Sequence, residues 1–187
     1  MTKSIRRWLL ASLAVAAVGA TGCIITSAQI LTHFDLPNPV QLNASDAWER
    51  VDVDLAVDIG SDYTDNKDKL KGLSDVAVLG EFTNTGGAGG AVTVWITAQT
   101  TNYADVGSIT SSAQKLWGPA SIGATGSKVV IGWDESAALF DPVGKKILIN
   151  EALGDGQFTI YTTGTPTGTH DILIENGKVV LVLDAGQ

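Results

Sequence analysis

The clearest pattern along the chain is a period of two. Val51, Val53, Leu55, Val57 and Ile59 alternate with Arg50, Asp52, Asp54, Ala56 and Asp58. A helix would scatter those five apolar side chains around its circumference, whereas a pleated strand places them on one face, so a half-buried strand is expected over 50–59. Val76, Val78, Gly80 and Phe82 alternate in the same way with Ala77, Leu79, Glu81 and Thr83, and Val92, Val94 and Ile96 form the expected partner strand. The run Asn84-Thr85-Gly86-Gly87-Ala88-Gly89-Gly90 between them reads as a flexible hairpin connection. A phosphate-cradling loop would need Gly-Lys-Ser/Thr and a helix after it, and the sequence supplies neither.

Further strands are expected over 115–117, 128–133 and 158–162. Near the C-terminus, Asn176-Gly177 sits between the apolar runs 171–175 and 178–183 and has the residues of a type I′ hairpin turn. One segment departs from the β pattern. Asp141-Pro142 is an N-cap and first-turn pair, followed by Val143, Ile147, Leu148 and Ala152 and a stop at Gly154, which predicts a short helix. Eight or nine short strands joined mostly by short loops predict an all-β fold. The expected form is an antiparallel β-sandwich, Ig-like or jelly-roll type, with one short helix, after a cleaved N-terminal signal helix. A closed barrel is the alternative. Asp52, Asp54 and Asp58 on the wet face argue against a transmembrane barrel, whose lipid-facing positions are apolar.

The first residues have a different organisation. Lys3, Arg6 and Arg7 form a cationic start, and Trp8 to Val18 is an apolar stretch of about half the roughly 20 residues that a membrane-spanning helix needs. Small residues then lead to Ala20-Thr21-Gly22-Cys23. This tetrad resembles the lipobox of bacterial lipoprotein precursors, with Cys23 in that family's invariant position and Ala20 where the family usually has Leu. The resemblance covers only the leader. It implies cleavage between Gly22 and Cys23 and a diacylglyceryl thioether on Cys23, so Cys23 is the expected lipid attachment residue and Ala20, Thr21 and Gly22 the cleavage motif. Ile24, where inner-membrane lipoproteins of many Gram-negative cells carry Asp, implies an outer-membrane destination if the organism has one. The expected organisation is a signal peptide over 1–22, a short lipidated tether over 23–28 and one β-sandwich domain over 29–187. Because the apolar pattern resumes at Ile30, Leu31 and Phe34, that domain is expected within roughly 20 Å of its membrane.

Charge narrows the partners. The chain has 12 Lys and Arg against 20 Asp and Glu, a net charge of −8. Loss of Lys3, Arg6 and Arg7 with the leader makes the remainder more acidic still, which argues against nucleic acid and against a domain lying flat on anionic lipid. Cys23 is the one cysteine, so no internal disulfide is expected.

Candidate chemistry is sparse. The two histidines, His33 and His170, are expected on strand surfaces, and neither lies in a nucleophile or zinc motif. The acidic run Asp58, Asp62, Asp65, Asn66 and Asp68 has oxygens suited to Ca²⁺, but Lys67, Lys69 and Lys71 are interleaved and the calcium-loop spacing is absent. A solvated loop or helical turn with Asp65 and Lys69 four apart is the expectation, and no metal site is assigned. Trp48, Trp95, Trp117 and Trp133 are expected in core or rim positions, with a sugar-stacking face as the alternative. The expected function is therefore a lipid-anchored, non-catalytic cell-envelope lipoprotein with a structural or protein-contact role. A glycan- or Ca²⁺-binding module is the alternative. The sequence assigns no catalytic residues and no cofactor. The expected partners are a membrane, through the lipid, and an envelope protein or glycan.

Overall fold

The computed structural model describes residues 27–36, 39–43, 48–98, 101–165 and 168–186; Cys23 and the cleavage motif Ala20, Thr21 and Gly22 lie outside the described residues. Among the described residues, nine strands make two antiparallel sheets. The first holds β1 (Ser27–Asp35), β9 (Asp171–Gly186), β4 (Leu70–Gly86) and β7 (Lys128–Ile131) in that order, with β2 (Val40–Asn43) also paired to β9. The second has the order β3 (Trp48–Asp54), β8 (Gln157–Thr163), β5 (Gly90–Thr97) and β6 (Gln114–Ile122).

A single apolar core lies between the sheets. Val76, Val78, Phe82 and Leu181 come from the first sheet and Val92, Val94, Ile96, Phe158 and Ile160 from the second, all of them buried. Phe34 of β1 meets Phe158 of β8 edge to face with ring centroids 6.0 Å apart, and Phe82 of β4 stacks on Trp117 of β6 at 6.1 Å. These contacts tie sheet to sheet, so the expected all-β sandwich architecture is what the chain adopts.

Three local expectations are corrected by topology. First, β4 and β5 are consecutive but belong to different sheets. The Gly-rich segment after Asn84 therefore carries the chain from one sheet to the other and does not close a hairpin. It is organised rather than loose: the Asn84 amide donates to the carbonyls of Ala88 at 2.6 Å and Gly123 at 2.8 Å, and its oxygen accepts from the Gly86 N–H at 3.1 Å. Gly87, at φ 81°, lies so close to Thr169 that a Cβ there would stand 1.6 Å from the Thr169 carbonyl oxygen.

Second, Asn176-Gly177 is not a turn. β9 runs straight through it, and both flanks pair with β4, Lys178 opposite Leu79 and Glu175 opposite Glu81. Two residues of β9 thus oppose Gly80 alone, and Asn176 takes φ 55°. This is a β-bulge, which uses the same tolerance of the left-handed region that a type I′ turn would use. Running on lets each half of β9 pair on both edges, with β4 on one side and β1 or β2 on the other. A hairpin would satisfy one edge only. The bulge also marks the change from β1 to β2, since the N–H of Leu36 donates to the Gly177 carbonyl at 2.9 Å.

Third, the alternation over 50–59 is strand only as far as Asp54. The Asp54 carboxylate accepts from the N–H of Ala56 at 3.0 Å and caps a helical turn, α1 (Leu55–Asp58), while the Asp58 carboxylate accepts from the N–H of Asp54 at 2.9 Å. The two aspartates cap reciprocally and end the strand. Val57, which the alternation would bury, is 77% exposed.

The expected helix over Asp141 to Gly154 is present, but it is accompanied by shorter ones. After α1 come α2 (Ser61–Thr64), a 3₁₀ turn at Lys67–Lys69, α3 (Val106–Ser112) and α4 (Trp133–Ala137), with α5 (Pro142–Leu153) last. Trp133, expected at a strand end, opens α4. The Asp141 carboxylate caps α5 by accepting from Val143 and Gly144, and hydrogen bonds from that first turn, with Lys115 nearby, hold its pKa below the ordinary carboxylate value. Gly144 lets α5 press on β6, because a Cβ there would be 2.2 Å from the Lys115 carbonyl oxygen.

Candidate functional site

The sandwich opens on one side, where the edge strand β1 faces the middle of β3 and the α1–α2 segment. The groove there has a volume of about 560 Å³ and is lined by 31–35 of β1, Val51 of β3, and Asp58, Ile59 and Asp62. Alternation along β1 decides what it presents: Thr32 and Phe34 turn into the core, while Leu31, 67% exposed, His33 and Asp35 face outward.

The opposite wall is held by local chemistry. Asp58 is anchored to the Asp54 N–H, and Gly60, at φ 70°, supplies the backbone turn between α1 and α2. Tyr63 is fully buried and donates its hydroxyl to the Ala152 carbonyl at the end of α5, 3.0 Å away. Burial raises the pKa of that phenol, and Asp155 and Asp54 add to the shift. Lys67 lies with its Nζ 5.8 Å from the Tyr63 ring centroid. A sequence reading that stopped at "solvated turn" misses this anchor, although a lone tyrosine inside an acidic run is a visible signal for it.

The groove gathers part of the acidic run and disperses the rest. Asp58 and Asp62 line it with Asp35; Asp65, Asn66 and Asp68 do not. Among the described residues no group of three or more His, Cys, Asp or Glu side chains is arranged to hold a metal ion. The expected helical spacing of Asp65 and Lys69 does not form either, because α2 ends at Thr64 and a 3₁₀ turn follows.

The histidines are far apart in role. His33 is an exposed strand residue, as expected, with Nε2 3.9 Å from the Asp35 carboxylate. His170 is not on the surface. It is 2% exposed, packed against the backbone of Gly90 and Gly164, and neither ring nitrogen has a hydrogen-bond partner among the described residues. Position just ahead of a strand gave no sign of this; Gly90, at the start of β5, and nearby Gly164 leave room for the imidazole.

The tryptophans turn inward. Trp117 is fully buried, Trp95 donates its Nε1 to the Thr163 hydroxyl at 2.9 Å, and Trp133 donates to the Asp75 carboxylate at 2.9 Å. Trp48 leans on Tyr161 with centroids 6.1 Å apart. They serve as core and rim, and the indole N–H groups of Trp95, Trp117 and Trp133 are committed internally. The surface that stands out is thus the groove beside β1, with an apolar stretch in Leu31, Val51 and Ile59 and carboxylates in Asp35, Asp58 and Asp62. Its chemistry suits binding of a cationic, partly apolar partner. What the fold and this groove define is the class alone, an all-β protein of two packed antiparallel sheets. The chain matches no known protein family and no curated protein.

Proposed function

We propose that this chain is a lipid-anchored, non-catalytic cell-envelope lipoprotein with a structural or protein-contact role. One observation carries the reading: Ala20-Thr21-Gly22-Cys23 closes an apolar run led by Lys3, Arg6 and Arg7, and β1 begins at Ser27. Four residues from Cys23 to the first strand reach at most about 14 Å, so an acyl group on that sulfur holds β1 next to the bilayer. Each buried methylene contributes about 0.8 kcal/mol, and two or three acyl chains give durable attachment where one does not. The acidic balance of the domain keeps its body off anionic headgroups, leaving the lipid as the anchor. The groove beside β1 supports the contact role. With Ile24 after the cysteine, the outer membrane is the destination where the cell has one.

Mass spectrometry of the native protein tests this. The expected N-terminal fragment starts at Cys23 and carries diacylglyceryl on sulfur, and Cys23→Ser moves the protein from the membrane to the soluble fraction. A bare thiol, or a leader still attached, overturns the proposal.

A further inference from the structure

β1 differs from the other sheet edges. Strand edges carry unpaired N–H and C=O groups, and proteins usually blunt them with charge, proline, bulges or shortness. β3 has Glu49, Arg50, Asp52 and Asp54 within seven residues. β6 contains Pro119 and breaks register twice against β5. β2 and β7 are four residues each. β1 is blunted far less: its nine residues, Ser-Ala-Gln-Ile-Leu-Thr-His-Phe-Asp, include no proline, glycine or lysine and a single carboxylate, Asp35, at the far end, and its register with β9 is unbroken from Ser27 opposite Gly186 to Asp35 opposite Lys178. Its other edge faces the groove, and among the described residues no strand pairs there.

From this we infer that β1 is a docking edge for an extended, Lys- or Arg-bearing segment of a partner protein, which adds to the first sheet as a further strand. Strand addition gives affinity through backbone hydrogen bonds, and the flanking side chains give selectivity. Nine residues at about 3.3 Å each offer an edge of roughly 30 Å. Leu31, Val51 and Ile59 meet the partner's apolar positions, and Asp35, Asp58 and Asp62 its cations. Lys178 stands across from Asp35 on β9, and this one cation against three carboxylates leaves the balance acidic. That balance selects the occupant. A second copy of this chain would bring another strongly acidic surface, at a net −8 per chain before any leader is lost, whereas a cationic strand is complementary. The inference rests on the protein-contact part of the proposed function and is independent of the lipid on Cys23.

The test uses the mature protein in detergent micelles and a fluorescent peptide of alternating Lys and Val, equal in length to β1. The expected result is binding that weakens about tenfold or more when the central residues of the peptide are N-methylated, which removes strand hydrogen bonds and keeps every charge. Amide exchange at 30–33 slows in the complex. The double variant Asp35→Lys, Asp62→Lys, at two exposed positions, loses the Lys peptide by a similar factor and gains a Glu-Val counterpart. Binding equal for the methylated peptide, unprotected β1 amides, no binding at about 1 mM, or self-association through β1 without peptide each overturns the inference, the last assigning the edge to a second copy. None of these outcomes bears on whether Cys23 is lipidated, so the two proposals fail separately.

Discussion

The indole Nε1 of Trp117 donates to Ser136 at both its carbonyl and its hydroxyl oxygen, 3.1 Å to each, with both residues fully buried. The same hydroxyl accepts from the N–H of Val78 at 2.7 Å. β7 pairs with β4 only over 80–83, so at Val78 the serine of α4 takes the place of a missing strand. Ser136→Ala leaves that amide without its partner in the core. The expected loss is about 1–3 kcal/mol, read as a lower urea midpoint with an unchanged slope.

The bulge in β9 makes a second prediction. At φ 55° Asn176 occupies a region that β-branched side chains avoid. Asn176→Val is expected to cost about 1–3 kcal/mol, and Asn176→Gly much less, because glycine takes that backbone freely. Were the pair a hairpin turn instead, the rank would hold but the damage would differ. In the bulge, amide exchange rises along both β4 and β1, since β9 joins them.

Tyr63 makes part of the stability depend on alkaline pH. Its pKa in the folded protein lies above the ordinary 10.0, through burial first and then Asp155 and Asp54, so the native state favours the neutral phenol. Stability from this source is complete below pH 10 and is lost as pH rises toward the folded value, because the unfolded chain ionises first. Tyr63→Phe removes the bond to Ala152 and is expected to cost about 1 kcal/mol at neutral pH. Above pH 10 its stability falls less steeply than that of the wild type, and the two curves converge. Urea titrations from pH 7 to 11 measure the difference.

Gly144 tests how α5 sits on the second sheet. The Cβ of Gly144→Ala would meet the Lys115 backbone, which cannot swing aside as a side chain would. Although alanine is the better helix former, the substitution is expected to destabilise by about 1–3 kcal/mol through overpacking. Asn150→Ala, at an exposed position of the same helix, serves as the control and stays within about 0.5 kcal/mol.

Elements whose cause is local were legible in the residues. The Asp141-Pro142 start and Gly154 stop of α5 need only caps and a first-turn proline, and both are in place. The strands expected over 115–117 and 158–162 are present, the first as part of the much longer Gln114–Ile122 and the second as Gln157–Thr163. The groove was not legible. Its walls come from β1 and from a segment more than twenty residues later, and Asp58 belongs to that wall because Asp54 caps a helical turn that the alternation over 50–59 conceals. His170 was misplaced for a related reason: burial there depends on Gly90 of β5, far from it in sequence, as well as on nearby Gly164.

Period and caps by themselves determined that this chain is a β protein with one well-marked helix and an acidic surface, because each of those properties is a matter of neighbours along the backbone. Tertiary structure alone decided which strands became partners. It sent β4 and β5 to different sheets and turned Asn176-Gly177 from a corner into a bulge, because a central strand that pairs on both edges satisfies more backbone than a hairpin tip. By the same choice β1 was left outermost among the described strands, with one edge bonded to β9 and the other facing the groove.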